Sequence, residues 1–583
     1  MSKFLRVNMT NLTAKLEDVP SKYRLMGGRW LTSAITCDEV PATCHPLGPN
    51  NKVTFATGIV TASGAPTAGR LSVGAKSPLT GTIKETNAGG IAADKLARIG
   101  IKAIIVEGKP KEKGKFWVLK VDKKGAELMP ATAEWLGKGL YEVYPKMLKK
   151  FGEKVGIISI GVAGEMLMSM AGICVNDPEN RPSRYAGRGG VGAVMGSKGL
   201  KAIVVDDAGG ANVSLANNEA FNSGRKKLTD ALRKHDITKP GGTLNTYGTA
   251  ALVNVINEAG GFPTRNFSAG RFEGAAKISG EMINETCKKR GGVGMTGHRG
   301  CTGCIIQCSN VYPKPDGTEL VSCQEYESVW ALGADCGIDS LDVTGELIRL
   351  CNDYGLDTIE AGVTIGVAME AGLAKFGDGK KAIELMHEIG KGTPLGHILG
   401  GGASLTADTF GIVRCPTVKR QAMPAYEPRA IKGIGVTYAT TTMGADHTAG
   451  YTIAPEILGV SGKMDPASKG MEKADASRNF QYATAFLDST GHCLFIAFAI
   501  LDIPSGLEGM VEECNGVLGT NWTVNDVGRI GGDIVKMERA FNEAAGFTNL
   551  DDRIPEFMKY EKLPPHNVVY DVPDEVLDKV HNP

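Results

Sequence analysis

The chain has 583 residues, long enough for several domains because single cores seldom grow beyond about 250 to 300 residues. Its 65 basic residues balance 64 acidic ones, which excludes the strongly basic footprint of a nucleic-acid binder and points to a small or neutral substrate. The opening MSKFLRVNMTNL lacks the apolar core of a signal peptide, and the longest apolar run, Cys493 to Leu501, is far short of the ~20 residues of a membrane span, so a cytoplasmic protein without membrane segments is expected.

The first third reads as β-rich. Short apolar or alternating runs at Lys52 to Val60, Arg70 to Val73, Ala103 to Glu107, Phe116 to Val121, Val155 to Ile160 and Ala202 to Val205 are separated by Gly, Pro and Lys clusters, and this sheet domain should end near Asp207. After Gly209-Gly210 the period becomes helical, beginning with the charged segment Asn217 to His235. The clearest helix spans Leu341 to Tyr354, where Val343, Leu347, Cys351 and Tyr354 form one apolar stripe, Ser340 caps the start and Gly355 closes the end. Helices over Thr358 to Lys375 and Lys380 to Ile389 follow. The turn-rich segment Gly400 to Pro424 divides the helical part, giving expected units 1–207, 208–420 and 421–583. The fold class is therefore α+β: a β-structured base followed by two mainly helical domains. No internal repeat is visible. The segment Pro564 to Pro583 reads either as a loose tail or as a strap along a neighbouring subunit.

Glycine is abundant, 77 residues or about 13% against an average near 7%, so backbone must approach something closely in many places. Two loops stand out. Gly69-Arg70, AKSPLTG at 75–81 and ETNAGG at 85–90 combine an arginine, an amide and bare glycines, a set suited to a phosphate and its heterocycle, or to a pair of ordinary hairpin turns. RYAGRGGVGAVMGSK at 184–198 formally contains GxGxxG, but it follows a polar, proline-containing stretch rather than the strand of a βαβ unit. A glycine-rich anion cradle with two arginines is what remains.

Thirteen cysteines in scattered positions form no disulfide framework. Cys301, Cys304 and Cys308 are spaced CxxCxxxC, which lets three thiolates converge on a soft metal centre, with Cys493 as the nearest good fourth. A [4Fe-4S] cluster is the working expectation, and zinc is its rival because four thiolates suit both. Glu327 in QEYES and His447 in GADH are natural general acid/base partners, provided the fold brings them together.

Taken in order, GR, AKSPLTG, TNAGG, RYAGRGGVGAVMGSK, CxxCxxxC, EYES, NDYGLD, GADH and DSTGHC resemble the aldehyde:ferredoxin oxidoreductase family of tungsten or molybdenum bis-pterin enzymes along essentially the whole chain. The resemblance implies a β-structured base carrying the pterins, with two helical domains closing over it. It implies that Arg70, Asn87, Gly89, Arg184, Tyr185, Gly187 and Arg188 contact the paired pterins and their phosphates, with Mg2+ between the phosphates. Two DxxGL(D/C)-like segments, Asn352 to Asp357 and Asp488 to Cys493, would each reach one pterin. Asn352 departs from the usual Asp, and His492 from the usual Leu. Cys301, Cys304, Cys308 and Cys493 match the cluster ligands, and Glu327 and His447 the pair beside the metal. Glu346 and His397 resemble a pair that bridges subunits through a metal.

The implied activity is oxidation of a small aldehyde by water to a carboxylic acid. Electrons would pass from tungsten or molybdenum to [4Fe-4S] and on to ferredoxin or an iron–sulfur subunit, in a homo- or hetero-oligomer. A reductase of acids or of an aryl-CoA ring is the alternative within the family, and a non-catalytic iron–sulfur scaffold the alternative outside it.

Overall fold

The computed structural model describes residues 2–582. Its first 207 residues build two six-stranded sheets. The first contains β1 (Lys3–Asn8), β2 (Thr13–Asp18), β3 (Val53–Thr57), β4 (Leu71–Lys76), β5 (Ile83–Ala88) and β6 (Ile101–Glu107). The second contains β7 (Trp117–Asp122), β8 (Gly125–Pro130), β9 (Gly156–Ser159), β10 (Ile173–Asn176), β11 (Pro182–Ala186) and β12 (Leu200–Val205). The strand orders are β2-β1-β6-β3-β4-β5 and, read from the other edge, β8-β7-β12-β9-β10-β11. Each pairing has its counterpart six strands later, including the parallel pairs β1–β6 and β7–β12 in otherwise antiparallel sheets. The base is thus an internal duplication, which the sequence does not show.

Central strands read as unbroken apolar runs because both of their faces are covered. In β12, Ile203 and Val205 enter a core shared by the two sheets, while Ala202 and Val204 pack under Leu140, Val143, Tyr144 and Met147 of the helix Leu140–Phe151. In β6, Ile104 and Val106 enter the shared core, and Ala103 and Ile105 pack under Leu31, Ala34 and Ile35 of the helix Gly28–Glu39. Helix, sheet, sheet and helix stack in layers, with the period-2 alternation of each strand feeding two cores.

The expected helices form with small shifts. Leu341–Tyr354 starts at Ser340, whose side chain accepts from the Val343 N–H, and ends at Gly355 with φ 79°. Thr358–Glu370 is capped by Asp357, and Gly379–Lys391 by Asp378. Asn218–Lys234 is capped by Asn217. One apolar cluster draws residues from both sides of position 420, from Ala163 through Trp330 and Tyr438 to Val580. The C-terminal segment belongs to it: Tyr570, Val572, Val576, Leu577 and Val580 are buried against their own chain, so it is not a loose tail. Among the described residues, no helix is long and apolar enough to cross a membrane.

The duplication places two helix ends symmetrically. The helices Leu341–Tyr354 and Met471–Thr490 both stop at a left-handed glycine, Gly355 and Gly491. The Gly491 carbonyl accepts from the N–H of Arg70, just before β4, and the Gly355 carbonyl accepts from the N–H of Gly172, just before β10. Gly58 after β3 and Gly161 after β9 face these ends so closely that a Cβ on either would collide with the helix-end backbone. Each half of the base therefore receives one of the two motif segments.

Candidate functional site

The loop carrying Cys301, Cys304 and Cys308 is tied to the first half of the base. Thr302 donates from its N–H and its hydroxyl to the Gly90 carbonyl, both at 3.1 Å, and the Thr67 N–H donates to the Gly303 carbonyl at 3.0 Å. The Cys493 N–H donates to the Thr67 carbonyl at 2.9 Å, so one short turn holds both cysteine segments. Burial and then the Cys301 charge push Cys304 up to about 12, and Cys308 is raised by burial and then by Glu325, with Cys304, Cys493 and Cys301 adding to it. Gly89 leaves no room for a side chain, because a Cβ there would collide with the Sγ of Cys301 and lie 3.1 Å from Nη1 of Arg70. Among the described residues, no three His, Cys, Asp or Glu side chains sit close enough for a single metal ion. His492 is buried, with Nδ1 2.9 Å from the Thr490 hydroxyl and Nε2 2.9 Å from a Glu513 carboxylate oxygen.

Beside the thiols lies the first cradle. Arg70 donates from Nε to Asn87 Oδ1 at 2.7 Å, and Asn87 Nδ2 is 3.5 Å from Asp488 Oδ1. Arg29 reaches Asp488 at 3.5 Å, but its main partner is Glu538, at 2.9 Å from Nε and 2.7 Å from Nη2. The second cradle is built around β11. Arg184 donates to the Ser309 hydroxyl and keeps a buried Nε without a partner. Tyr185 donates its hydroxyl to the Asn352 carbonyl at 2.5 Å. Asn352 is buried, its amide 3.5 Å from the Tyr141 hydroxyl and from the Ser322 carbonyl. Beyond Gly187, Arg188 gives Nε to Asp357 at 3.2 Å, Nη1 to the Ala445 carbonyl at 2.8 Å and Nη2 to the Ala422 carbonyl at 2.6 Å. Asp357 in turn caps its helix by accepting from the Ile359 N–H. Arg188 and Asp357 thus brace the site's walls. The GxGxxG stretch does follow a strand and open a helix, β11 and Val191–Ser197. It is nevertheless no dinucleotide unit, because β12 runs beside β9 and β7, not beside β11.

Glu327 and His447 come together. Oε1 of Glu327 lies 3.4 Å from Nε2 of His447, and Oε2 accepts from the Ala425 N–H at 2.9 Å. Oε1 of Glu327 and Nδ1 of His447 have no hydrogen-bond partner although both are buried. Burial raises Glu327 to about 8, opposed by the Ala425 N–H and Arg188. Burial lowers His447 to about 4 against the opposing pull of Asp446, whose Oδ1 is 3.9 Å from Nδ1. At neutral pH both are uncharged, a carboxylic acid facing a free imidazole. Tyr426 and Tyr451 pack against His447 at ring distances of 5.6 and 6.1 Å and against each other at 5.7 Å, their hydroxyls 2.8 Å apart.

Glu346 and His397 stand apart from all this. Both are exposed, on the separate helices Leu341–Tyr354 and Pro394–Gly400. Sequence reasoning passed over Arg29, Glu85, Asp446 and the tyrosines. Asp446 had a signal, since it adjoins His447 in GADH.

Comparison with known proteins bears on this geometry. A family model for the N-terminal domain of aldehyde ferredoxin oxidoreductase matches residues 4–207, and one for its domains 2 and 3 matches 224–581. The tungsten-containing aldehyde ferredoxin oxidoreductase of Pyrococcus furiosus is 37% identical over 581 residues, 96% of this chain and 92% of that protein. That of Thermococcus kodakarensis is 36% identical with the same coverage. A WOR-like subunit of an aliphatic sulfonate oxidoreductase, also from P. furiosus, is 25% identical, covering 96% of this chain and 90% of that protein. Among solved structures, an active-site complex of benzoyl coenzyme A reductase with 1,5-dienoyl-CoA matches with a TM-score of 0.76 at 18% identity, over 99% of this chain and 93% of that one, a likeness of fold.

Proposed function

This chain belongs to the aldehyde ferredoxin oxidoreductase family, and on that premise we propose that it oxidises aldehydes with water to carboxylic acids, RCHO + H2O → RCOOH + 2H+ + 2e−. The observation that carries the proposal is the pair Glu327 and His447, 3.4 Å apart, each with a buried polar atom left unpartnered beside the two cradles, where burial favours the uncharged form of both. Glu327, protonated, hydrogen-bonds the aldehyde oxygen and gives it the proton as negative charge builds there. His447 takes a proton from the attacking water at Nε2, because the Asp446 carboxylate near Nδ1 favours the tautomer that leaves Nε2 bare. The two tyrosines, packed together against His447, fix its ring. In reverse, the same two groups serve acid reduction.

The residues fit the cofactors that the relatives' names and the resemblance point to. Arg70, Asn87 and Asp488 on one side, and Arg184, Tyr185, Gly187 and Asn352 on the other, would hold two pterins and their phosphates. The unpartnered Nε of Arg184 is a donor without an acceptor of its own, as a phosphate site requires. Gly89 brings one cradle against Cys301. Four cysteines brought to one place without closing on a single ion support a [4Fe-4S] cluster over zinc, since Zn–S bonds of about 2.3 Å would draw four sulfurs to within about 4 Å of one another. When bound, a tungsten bis-pterin centre accepts the electron pair and the cluster releases it one electron at a time to ferredoxin or an iron–sulfur subunit.

A scaffold without chemistry has no use for a buried acid and imidazole held unpaired. We place the enzyme in the cytoplasm, where reduced thiols persist. Glu346 and His397 lie at the surface, where a metal shared between two copies would sit. A particle size unchanged by chelator is the result against that bridge.

Tungsten, molybdenum, iron and pterin analysis of the purified chain, with an aldehyde panel and a viologen acceptor, tests the whole proposal. Tungsten, pterin and dye reduction are expected. A chain without pterin overturns it.

A further inference from the structure

Glu85 lies on β5 two residues before Asn87, so the strand's alternation turns both side chains to one face. It is 6% exposed, and its Oε1 is buried without a hydrogen-bond partner. Opposite it on β4 stands Gly74, which offers no side chain, and the Glu85 N–H points to the Met443 sulfur at 3.2 Å. The other groups facing it are Ser72 on β4, Arg29 on the helix Gly28–Glu39, Asp488 at the end of Met471–Thr490 and Glu538 on Val524–Ala544. Arg29 is not free to pair with it, since Nε and Nη2 go to Glu538 and Nη1 turns toward Asp488, while Arg70 gives Nε to Asn87 and does not bear on Glu85. Of the three acids around Arg29, Glu85 is the one that takes no hydrogen bond from it, with the Ser72 hydroxyl beside its carboxyl. A buried polar group without a partner costs about 1 to 3 kcal/mol, which a fold keeps where something else supplies the partner.

We propose that Glu85 is a further cofactor-holding residue, its carboxyl hydrogen-bonding, beside Asp488, the heterocyclic edge of the pterin gripped by Arg70 and Asn87. This rests on the reading that the chain binds pterin. A 2-aminopyrimidin-4-one edge presents N–H donors next to carbonyl and ring-nitrogen acceptors, so it is best met by one acid that donates and one that accepts. The two carboxyls are placed to divide that labour. Burial and then the Asp488 charge raise Glu85, and burial also raises Asp488, against the pull of Arg29 and Arg70, so the pair favours sharing a proton, with Glu85 the carboxyl that no arginine hydrogen-bonds.

The test compares Glu85→Gln and Glu85→Ala with the wild-type chain by pterin and tungsten per purified chain. It also compares their unfolding midpoints when produced in a host that cannot make pterin. Glu85→Gln, which still donates, should keep its pterin, and Glu85→Ala should lose about ten-fold or more, the worth of a hydrogen bond of 1.4 kcal/mol or above. Without pterin, Glu85→Ala should unfold no earlier than wild type, because a carboxyl that serves only the cofactor leaves no gap in the protein's own bonding. The inference is overturned by wild-type pterin content in Glu85→Ala, by equal loss in Glu85→Gln, or by destabilisation of pterin-free Glu85→Ala, which marks a structural acid. A wild-type chain lacking pterin overturns the proposed function and this inference with it.

Discussion

The Glu327 carboxyl gives the reaction scheme its most exposed consequence. Two ionisations bound the active form: His447 must be neutral, which fails below about 4, and Glu327 must be protonated, which fails above about 8. The pH profile of kcat/KM should be flat between these limits and fall on both sides. Glu327→Gln keeps the shape and a hydrogen-bond donor but cannot give up a proton. It should lower the plateau by about 10²-fold or more, the usual range for a positioned acid, and erase the alkaline limb while leaving the acid limb in place. The same carboxyl leaves a mark on stability that needs no turnover. Its folded value is raised above the ordinary 4.5, so between 4.5 and about 8 the unfolded chain has released a proton that the folded chain still holds, and stability is lost as pH rises through that window. The interval corresponds to about 5 kcal/mol as a ceiling, at about 1.4 kcal/mol per pH unit. Cofactor-free Glu327→Gln should match wild type near pH 4.5 and gain on it steadily up to pH 8.5 in unfolding midpoint. An unchanged plateau with the alkaline limb still present would refute the role assigned to Glu327.

Gly89→Ala should purify with reduced iron, because the new methyl group and the Cys301 sulfur need the same space; iron equal to wild type means the loop yields without losing the cluster. Cys493→Ala should lose iron while leaving the helix Met471–Thr490 folded, as read by iron analysis beside circular dichroism, and full iron content would remove Cys493 from the ligand set. Arg29→Met strands the fully buried Glu538, which also takes bonds from Ser33 and Thr442. It should cost about 3 to 5 kcal/mol in denaturant titration, partly recovered in Arg29→Met/Glu538→Gln. A loss under 1 kcal/mol in the single variant would show that the Arg29 pair carries little.

What could be read from the sequence follows from burial. Strands β3, β4, β6, β9 and β12 announce themselves because nearly all of their residues enter one core or another, and β7 because Val118, Leu119 and Val121 do. β2, with Thr13–Asp18 largely exposed, gives no apolar signal. The helix Gly28–Glu39 is hidden because Thr32, Ser33 and Thr36 on its buried side dilute the stripe of Leu31, Ala34 and Ile35. The cysteines, Glu327 and His447 were legible as chemistry, but their meeting was not, since the Ala425 N–H that holds Glu327 lies nearly a hundred positions away. Lys84-Glu85 reads as an ordinary solvated pair, and only the packing shows both side chains buried. The duplication escapes notice because equivalent positions carry different chemistry. Ala88 and Ala186 both pair with the first residue of the preceding strand, Leu71 and Ile173, yet Asn87 precedes one and Tyr185 the other.

That divergence explains how a symmetric base serves an asymmetric reaction. Both halves receive a helix end at a left-handed glycine, and both present a glycine turn after their fifth strand, at Gly89-Gly90 and from Gly187 to Gly190. The first turn is fastened to the cysteine loop, through Gly90 to Thr302, with Thr67 joining Gly303 to Cys493. In the second turn, Arg188 is fastened to the carbonyls of Ala422 and Ala445, and Ala445 is two residues from His447. Neither task is confined to one half: Lys84 of β5 reaches Asp446, beside His447, at 3.7 Å, and Arg184 of β11 donates to Ser309, next to Cys308. The difference lies in the turns, the first gripping the proposed exit for electrons by its backbone and the second gripping the proposed proton-handling segment through the Arg188 side chain.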